Sequence, residues 1–170
     1  MSFDLKNLST LDRVIAGGAL VAFIAAFLPW YGVSFGGLGV TVSGWSAGFS
    51  AWAGALLLTA AGVLLVLRRA GATFNLGNVG PSVLVAGVAA VGLLLVIIRW
   101  ISFPRYHDLD VGARYGIYIA LIAGIAEVTA AVMAMRASGE QIPWTQGQRA
   151  PGQPASAPES PPEAPAVPEE

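Results

Sequence analysis

Four long apolar segments alternate with short polar connections along this chain. A helix that crosses a membrane needs about 20 predominantly apolar residues to span a hydrocarbon core about 30 Å thick. Segments at residues 14–30, 47–67, 82–101 and 115–135 meet this requirement. The pattern predicts an all-α fold, a four-helix transmembrane bundle formed by residues 1–137.

The first segment has a helix-start signal before it and a helix breaker near its end. Ser9-Thr10-Leu11-Asp12 is typical of a capping box, in which a hydroxyl and a carboxylate each accept a hydrogen bond from a free backbone amide. We expect Pro29 to end this helix. A cleaved signal peptide is the alternative, but no clear A-x-A site precedes the sequence LPWYG.

Composition agrees with a membrane location. Charged residues are 11% of the chain, hydrophobic residues are 55%, and no charge occurs between Arg13 and Arg68. A water-soluble domain with so long an uncharged stretch would expose large apolar patches. Lipid is therefore the expected surroundings, and the net charge of -1 gives no basic surface for nucleic acid.

The distribution of basic residues predicts an orientation in the plasma (inner) membrane. Basic residues concentrate on the cytoplasmic side of a membrane protein. One side would carry Lys6, Arg13, Arg68, Arg69, Arg136 and Arg149, and the other would carry Arg99, Arg105 and Arg114. We therefore expect a multi-pass protein with both termini in the cytoplasm.

The first outer loop, YGVSFGGLGVTVSGW, alternates large apolar with small or polar residues on both sides of a glycine-rich centre. This pattern predicts a short β-hairpin. Two strands alone are marginal in water, so the hairpin should lie on the helix ends or on a partner. Aromatic residues nearby are expected to act as interfacial anchors, namely Trp30, Tyr31, Trp45 and Trp100.

The last part of the chain, residues 138–170, is rich in Pro, Ala and Glu. Such a composition cannot bury enough apolar surface to offset its ordering entropy, which predicts a disordered cytoplasmic tail. P-x-x-P segments at 151–154, 158–161 and 162–165 would suit a tail-binding partner with an aromatic groove, although a plain linker is the simpler interpretation.

One carboxylate, Glu127, lies inside the fourth apolar segment. The residues that share its helical face are all small, which indicates a helix-packing face: Gly116, Ala120, Ala123, Gly124, Ala130, Ala131 and Ala134. The opposite face should meet lipid and carries Tyr118, Leu121, Ile122, Ile125, Val128, Val132 and Met135.

Three roles for Glu127 remain open from the sequence. It is a neutral acid that joins helices, a docking contact for another membrane protein, or a proton or cation relay. Thr59 and Thr129 lie at a similar depth and are the intramembrane hydroxyls that it could reach. Aligning Trp30 with Trp100 also brings Thr59 onto Thr129, a pattern that would suit a transporter with a parallel repeat.

We predict no catalytic residue, metal site or cofactor. His107 is the only histidine and the chain has no cysteine, so His107 with Asp108 and Asp110 is better explained as a loop surface than as a ligand set.

The motifs LDRVIAGGALVAFIAAFLPWYGV, SGWSAGFSAW and GARYGIYIALIAGIAEVTAAVMAMR, with a proline-rich tail after them, give a family resemblance. Over about residues 9 to 137 the chain resembles small four-span membrane proteins common in actinobacteria. The resemblance implies no particular activity, although some similar proline-tailed proteins are associated with the cell envelope and cell division. Glutamine is common in that family near the Glu127 position, which implies a weaker case for a proton relay.

The function expected from these patterns is a non-enzymatic membrane subunit that assembles with itself or with other envelope membrane proteins. A small oligomeric transporter or channel that uses Glu127 is the alternative.

Overall fold

The computed structural model describes residues 8–35, 38–72, 79–102 and 110–139. These residues form four helices and three strands. In chain order they are α1 (Thr10–Ala25), β1 (Pro29–Phe35), β2 (Leu38–Ser43), α2 (Phe49–Arg69), α3 (Pro81–Ile101), β3 (Asp110–Ala113) and α4 (Tyr115–Ala137). The chain is therefore mostly helical, with a small sheet.

The start of α1 follows the predicted capping box. The backbone amide of Asp12 donates to the Ser9 hydroxyl at 3.1 Å, and the amide of Ser9 donates to the Asp12 carboxylate at 3.0 Å. Two of the amides that a helix start leaves free are thus satisfied by the local sequence.

The end of α1 differs from the prediction. The helix ends at Ala25 and Pro29 already belongs to β1. An α-helix that continued past Ala25 would need the N–H of residue 29 for the Ala25 carbonyl, and Pro29 has none. The indole Nε1 of Trp30 donates a 2.8 Å hydrogen bond to that carbonyl instead, and the chain leaves the helix through turns at Phe27 and Leu28.

Three helices are long and apolar enough to cross a membrane: α2, α3 and α4. At 1.5 Å per residue they are about 31 to 35 Å long. Helix α1 has 16 residues and is about 24 Å long, shorter than a hydrocarbon core. A fourth complete span is therefore not shown.

The helices form a ring in which α1 packs against α2 and α4, and α3 packs against α2 and α4. Glycines set the close contacts. A Cβ built on Gly54 of α2 would lie 3.0 Å from the Gly92 carbonyl oxygen of α3, which is tighter than ordinary van der Waals contact. The backbones of α2 and α3 are therefore in direct contact at this crossing.

The segment between α1 and α2 forms the predicted hairpin, and a third strand extends it. The sheet order is β2-β1-β3, with β1 antiparallel to both neighbours. Strand β3 was not predicted, because Asp110–Ala113 is short and contains glycine. The extra strand provides pairing that a two-stranded ribbon lacks.

Two of the predicted interfacial anchors lie in the interior. Trp30 is fully buried and Tyr31 is buried in the same apolar cluster, together with Ala22, Ala51 and Ile117. Trp45 is half-buried and stacks edge-on against Phe27, and Trp100 is exposed. Trp30 is inside because it belongs to β1 and its indole packs closely against Gly44 and Gly116. The predicted tail from residue 140 onward and residues 103–109, including His107, fall outside the described residues.

We predict that Trp30→Ala lowers the free energy of unfolding by about 3–5 kcal/mol, because it removes a fully buried indole and the hydrogen bond to Ala25. Trp100→Ala is the matched control, since this side chain is 41% exposed. Denaturation of the detergent-purified protein, followed by circular dichroism, measures both changes. Equal losses for the two variants would contradict the proposed importance of Trp30.

Candidate functional site: a buried carboxyl between two helices

Glu127 lies where α4 meets α1, and it is fully buried. A Cβ built on Gly18 of α1 would approach the Glu127 Cβ to 2.9 Å and the Ala123 carbonyl oxygen to 3.1 Å. Glycine on α1 therefore leaves the space that Glu127 occupies. Because its own chain encloses it, Glu127 presents no surface to another protein in this structure.

Neither carboxyl oxygen of Glu127 accepts a hydrogen bond from a group in the described part of the chain. This is unusual for a buried polar group, since the large majority make at least one hydrogen bond. The described chain buries two other polar side chains, Asp12 and Ser82, and both are bonded to neighbours. Glu127 is therefore the exception among these three.

The predicted small face of α4 packs inside the bundle. Gly116, Ala120, Ala123, Gly124, Ala130 and Ala131 are buried, and Ala134 is half-buried. The opposite face is mostly exposed or half-buried, but the prediction for Leu121 was wrong, because Leu121 belongs to a core cluster. Helix α4 packs against both α1 and α3, so its buried arc is wider than one stripe.

The two predicted hydroxyl partners do not bind Glu127. Thr59 donates to the carbonyl of Ala55 at 2.8 Å, and Thr129 donates to the carbonyl of Ile125 at 2.7 Å. Both bonds return to the backbone one turn earlier in the same helix, which is a common arrangement for a threonine in a helix interior. The sequence predicted that these residues lie at a depth similar to that of Glu127, but it could not show where their hydroxyls bond.

The first turn of α1 carries an ion pair that was not predicted from the sequence. Arg69 of α2 contacts Asp12 of α1, with Nη2 to Oδ2 at 2.8 Å. Asp12 is buried, whereas the Arg69 side chain is 46% exposed. Asp12 thus completes the capping box with Ser9 and also joins α1 to α2. No signal in the linear sequence links residues so far apart.

Burial alone would raise the pKa of the Asp12 carboxyl. The hydrogen bond from Arg69, those from Ser9 and the positive charge of Arg69 outweigh burial and hold this pKa below its ordinary value. Asp12 precedes the apolar run that begins at Val14. The carboxyl is consequently ionised near neutral pH.

A cavity of about 370 Å³ opens at this end of the bundle, which we call the arginine end. Its apolar lining includes Ile15, Leu65, Val85 and Ala131. Its polar lining includes Asp12, Arg68, Arg69 and Ser82. The opposite end, covered by the strands, is called the sheet end.

Arg99 of α3 lies near the sheet end and far from Glu127. Its guanidinium carbon is 5.0 Å from the centroid of the Tyr31 ring, and the Tyr31 hydroxyl donates to the Arg99 carbonyl at 2.8 Å. These contacts tie β1 to the end of α3, with a cation–π component. Arg99 therefore serves the sheet and does not neutralise Glu127.

Within the described part of the chain, no group of three or more His, Cys, Asp or Glu side chains is placed to hold a metal ion. Comparison of the chain with protein-family models, curated proteins and solved structures gave no match.

We predict that Gly18→Ala destabilises the bundle by about 1–3 kcal/mol, because the new methyl group would meet Glu127 and the backbone of α4. Gly17→Ala is the matched control, since a Cβ at Gly17 meets nothing within 4 Å. Thermal unfolding in detergent compares them. If Gly18→Ala were as stable as Gly17→Ala, the α1–α4 contact would be looser than the geometry indicates.

We also predict that Arg69→Ala lowers the free energy of unfolding by about 1–3 kcal/mol. The buried Asp12 carboxylate would lose its ion pair and keep only the hydrogen bond from Ser9 in the capping box. Arg136→Ala, at an exposed position of α4, should change it little.

The pH dependence of that loss follows from the lowered pKa of Asp12. The contribution of the ion pair is fully present above the ordinary carboxyl pKa of about 3.9 and is lost as the pH falls below that value through the lowered folded-state pKa. The difference between wild type and Arg69→Ala should therefore shrink in acid. A difference that stayed constant in acid would exclude Asp12 as its source.

Proposed function

We propose that this chain is an integral protein of the bacterial plasma membrane, with α1 to α4 in the bilayer, both termini in the cytoplasm and the tail as a tether. Its role is that of a non-enzymatic assembly or scaffold subunit of the cell envelope. The distribution of apolar side chains supports the membrane part. Large exposed apolar residues occur on all four helices, among them Leu20, Ile24, Leu56, Val63, Leu94, Ile122 and Ile125.

Helix α1 fits this proposal despite its length. Turns continue the helical path through Leu28, and Phe27 is 60% exposed next to Trp45. Aromatic side chains are favoured at the level of lipid headgroups. The sheet end would therefore lie at the outer interface, and a short span is accommodated by local thinning of the bilayer.

The observation that carries the assembly role is the open edge of β2. Among the described residues, β2 pairs with β1 on one side and has no strand on the other. Its first four residues are exposed, with Leu38 at 79% and Val40 at 66%. Natural edge strands usually carry charges, prolines or bulges that prevent pairing, and β2 contains neither charge nor proline.

The occupant that we propose for this edge is a second copy of the chain. Two copies in one membrane would hold their β2 strands at the same height above the bilayer, which raises their effective concentration. The edge is uncharged, so pairing of two identical strands meets no charge repulsion. This contact replaces the small face of α4, which the chain already uses internally.

The alternative, a small oligomeric transporter or channel, takes its support from the unpartnered carboxyl of Glu127. A transport path would also have to leave the bundle at the sheet end. There the buried Trp30 and the close packing of Gly116 against Pro29 and Trp30 fill the interior. The geometry therefore supports the scaffold role better.

We predict that Thr41→Cys, exposed on β2, forms disulfide-linked dimers in native membranes under mild oxidation, because the edges of two copies would be adjacent. The wild type has no cysteine, so the new thiol is the only one in the chain. Ser138→Cys, exposed at the arginine end, is the matched control and should stay monomeric.

Adding Val40→Lys to Thr41→Cys should reduce the cross-linked fraction at least several-fold, since a charge on an open edge opposes strand pairing. Gel mobility after oxidation gives the readout. Cross-linking of Ser138→Cys alone would point to a different interface, and cross-linking of neither variant would refute the β2 contact. Capture of another membrane protein by Thr41→Cys would assign the edge to a partner of different sequence.

A further inference from the structure

Glu127 raises a question that the scaffold role does not answer. It is fully buried, and no backbone or side-chain group among the described residues donates to its carboxyl oxygens. Desolvation of an ionised carboxylate costs several kcal/mol unless a cation or several hydrogen bonds compensate. Either a bound cation neutralises the Glu127 carboxylate, or the carboxyl is protonated and carries no charge.

The elements packed against Glu127 offer no compensating charge. Its neighbour on α1 is Gly18, and the adjoining Gly124 contacts Leu58 of α2 and Leu93 of α3. None of these residues is polar. The surrounding apolar residues belong to two core clusters, one toward each end of the bundle.

The charged and titratable groups of those elements lie at other levels. On α1, Asp12 is six residues before Gly18, about 9 Å along the helix. On α2, Arg68 is ten residues past Leu58, about 15 Å away, and on α3, Arg99 is six past Leu93, about 9 Å away. The remaining groups on these four helices are Arg13, Arg69, Tyr115, Tyr118 and Arg136, which are exposed.

Access to Glu127 differs between the two ends of the bundle. At the sheet end, the fully buried Trp30 closes the interior. At the arginine end, the cavity lining includes Ala131 and Ile15. Ala131 is one turn from Glu127, about 6 Å along α4. About one helical turn therefore separates Glu127 from this cavity, whose lining includes polar side chains. A groove between α1 and α4 lies nearer, beside Gly18 and Ala123, but only apolar residues line it, so it offers no polar path for a proton.

We propose that Glu127 is a proton-binding site of the bundle interior, present as the neutral acid, and that it exchanges its proton with solvent only through the cavity at the arginine end. The proton is the ligand that fits, because a metal ion needs several oxygen ligands and a single carboxyl supplies at most two. On release, the O–H bond breaks, the proton passes to water in the cavity, and the carboxylate keeps the electron pair. The proposal is independent of dimer formation through β2.

Infrared spectroscopy of the full chain in lipid nanodiscs tests the charge state. The difference between wild type and Glu127→Gln at neutral pH should contain the carbonyl stretch of a protonated carboxyl, which moves to lower frequency in heavy water. A carboxylate band at the same pH would overturn the proposal. If Glu127→Gln folds poorly, Glu127→Asp is the second variant, which keeps a carboxyl at this position and should shift the band without removing it.

The route is tested by the rate at which that band shifts after transfer to heavy water. Ile15→Ala enlarges the cavity at the arginine end and should increase the rate at least several-fold. Val14→Ala removes similar bulk from the apolar groove between α1 and α4, and should leave the rate unchanged. Equal rates in both variants would refute the cavity route.

Discussion

Close backbone approach between neighbouring helices is the constraint on which the rest of this structure depends. At Gly18, Gly54 and Gly62, an added Cβ would come within 3.0 Å of an atom on the adjacent helix. Each contact therefore needs a residue without a side chain at the crossing point. Small residues serve this purpose in membrane bundles, where lipid removes the hydrophobic drive for helices to associate and packing must replace it.

That constraint also explains how a glutamate fits inside the bundle. The Gly18 position provides room for the Glu127 Cβ, and the alanines around it allow α1 and α4 to close over the carboxyl. The same small residues bring no donor. The small residues thus explain both the room for the Glu127 side chain and the lack of donors around its carboxyl. A proton is therefore the simplest ligand that neutralises it.

Much of the fold could be predicted from the length of the apolar runs. The bounds of α3 and α4 at their first residues differ from the prediction by at most one residue, and the Ser9–Asp12 cap is a local pattern. Pro29 was predicted to end α1, but the helix ends four residues earlier at Ala25, because that is the carbonyl for which Pro29 has no N–H. The hydrogen bond from Trp30 to the same carbonyl was not predictable, because it forms after the chain has turned. Strand β3 escaped detection because its pairing with β1 is long-range.

The candidate site was predictable only in part, for a similar reason. The helical wheel of α4 predicted that Glu127 shares a face with small residues, and in the structure most of these residues are buried with it. Which helix covers it, and whether Thr59 or Thr129 reaches it, depend on rotation and bonding that a single helix does not reveal. The Asp12–Arg69 pair is likewise a product of tertiary packing.

The way α1 is held at its two ends strengthens the case for a neutral Glu127. At the arginine end, Asp12 joins α1 to α2 through Arg69, and at the sheet end Trp30 bonds to the Ala25 carbonyl beneath the strands. Gly18 lies between these fixed points. An ionised Glu127 could gain solvation only if α1 moved away, and that motion would break contacts at one or both ends. Keeping a proton on the carboxyl preserves all of them.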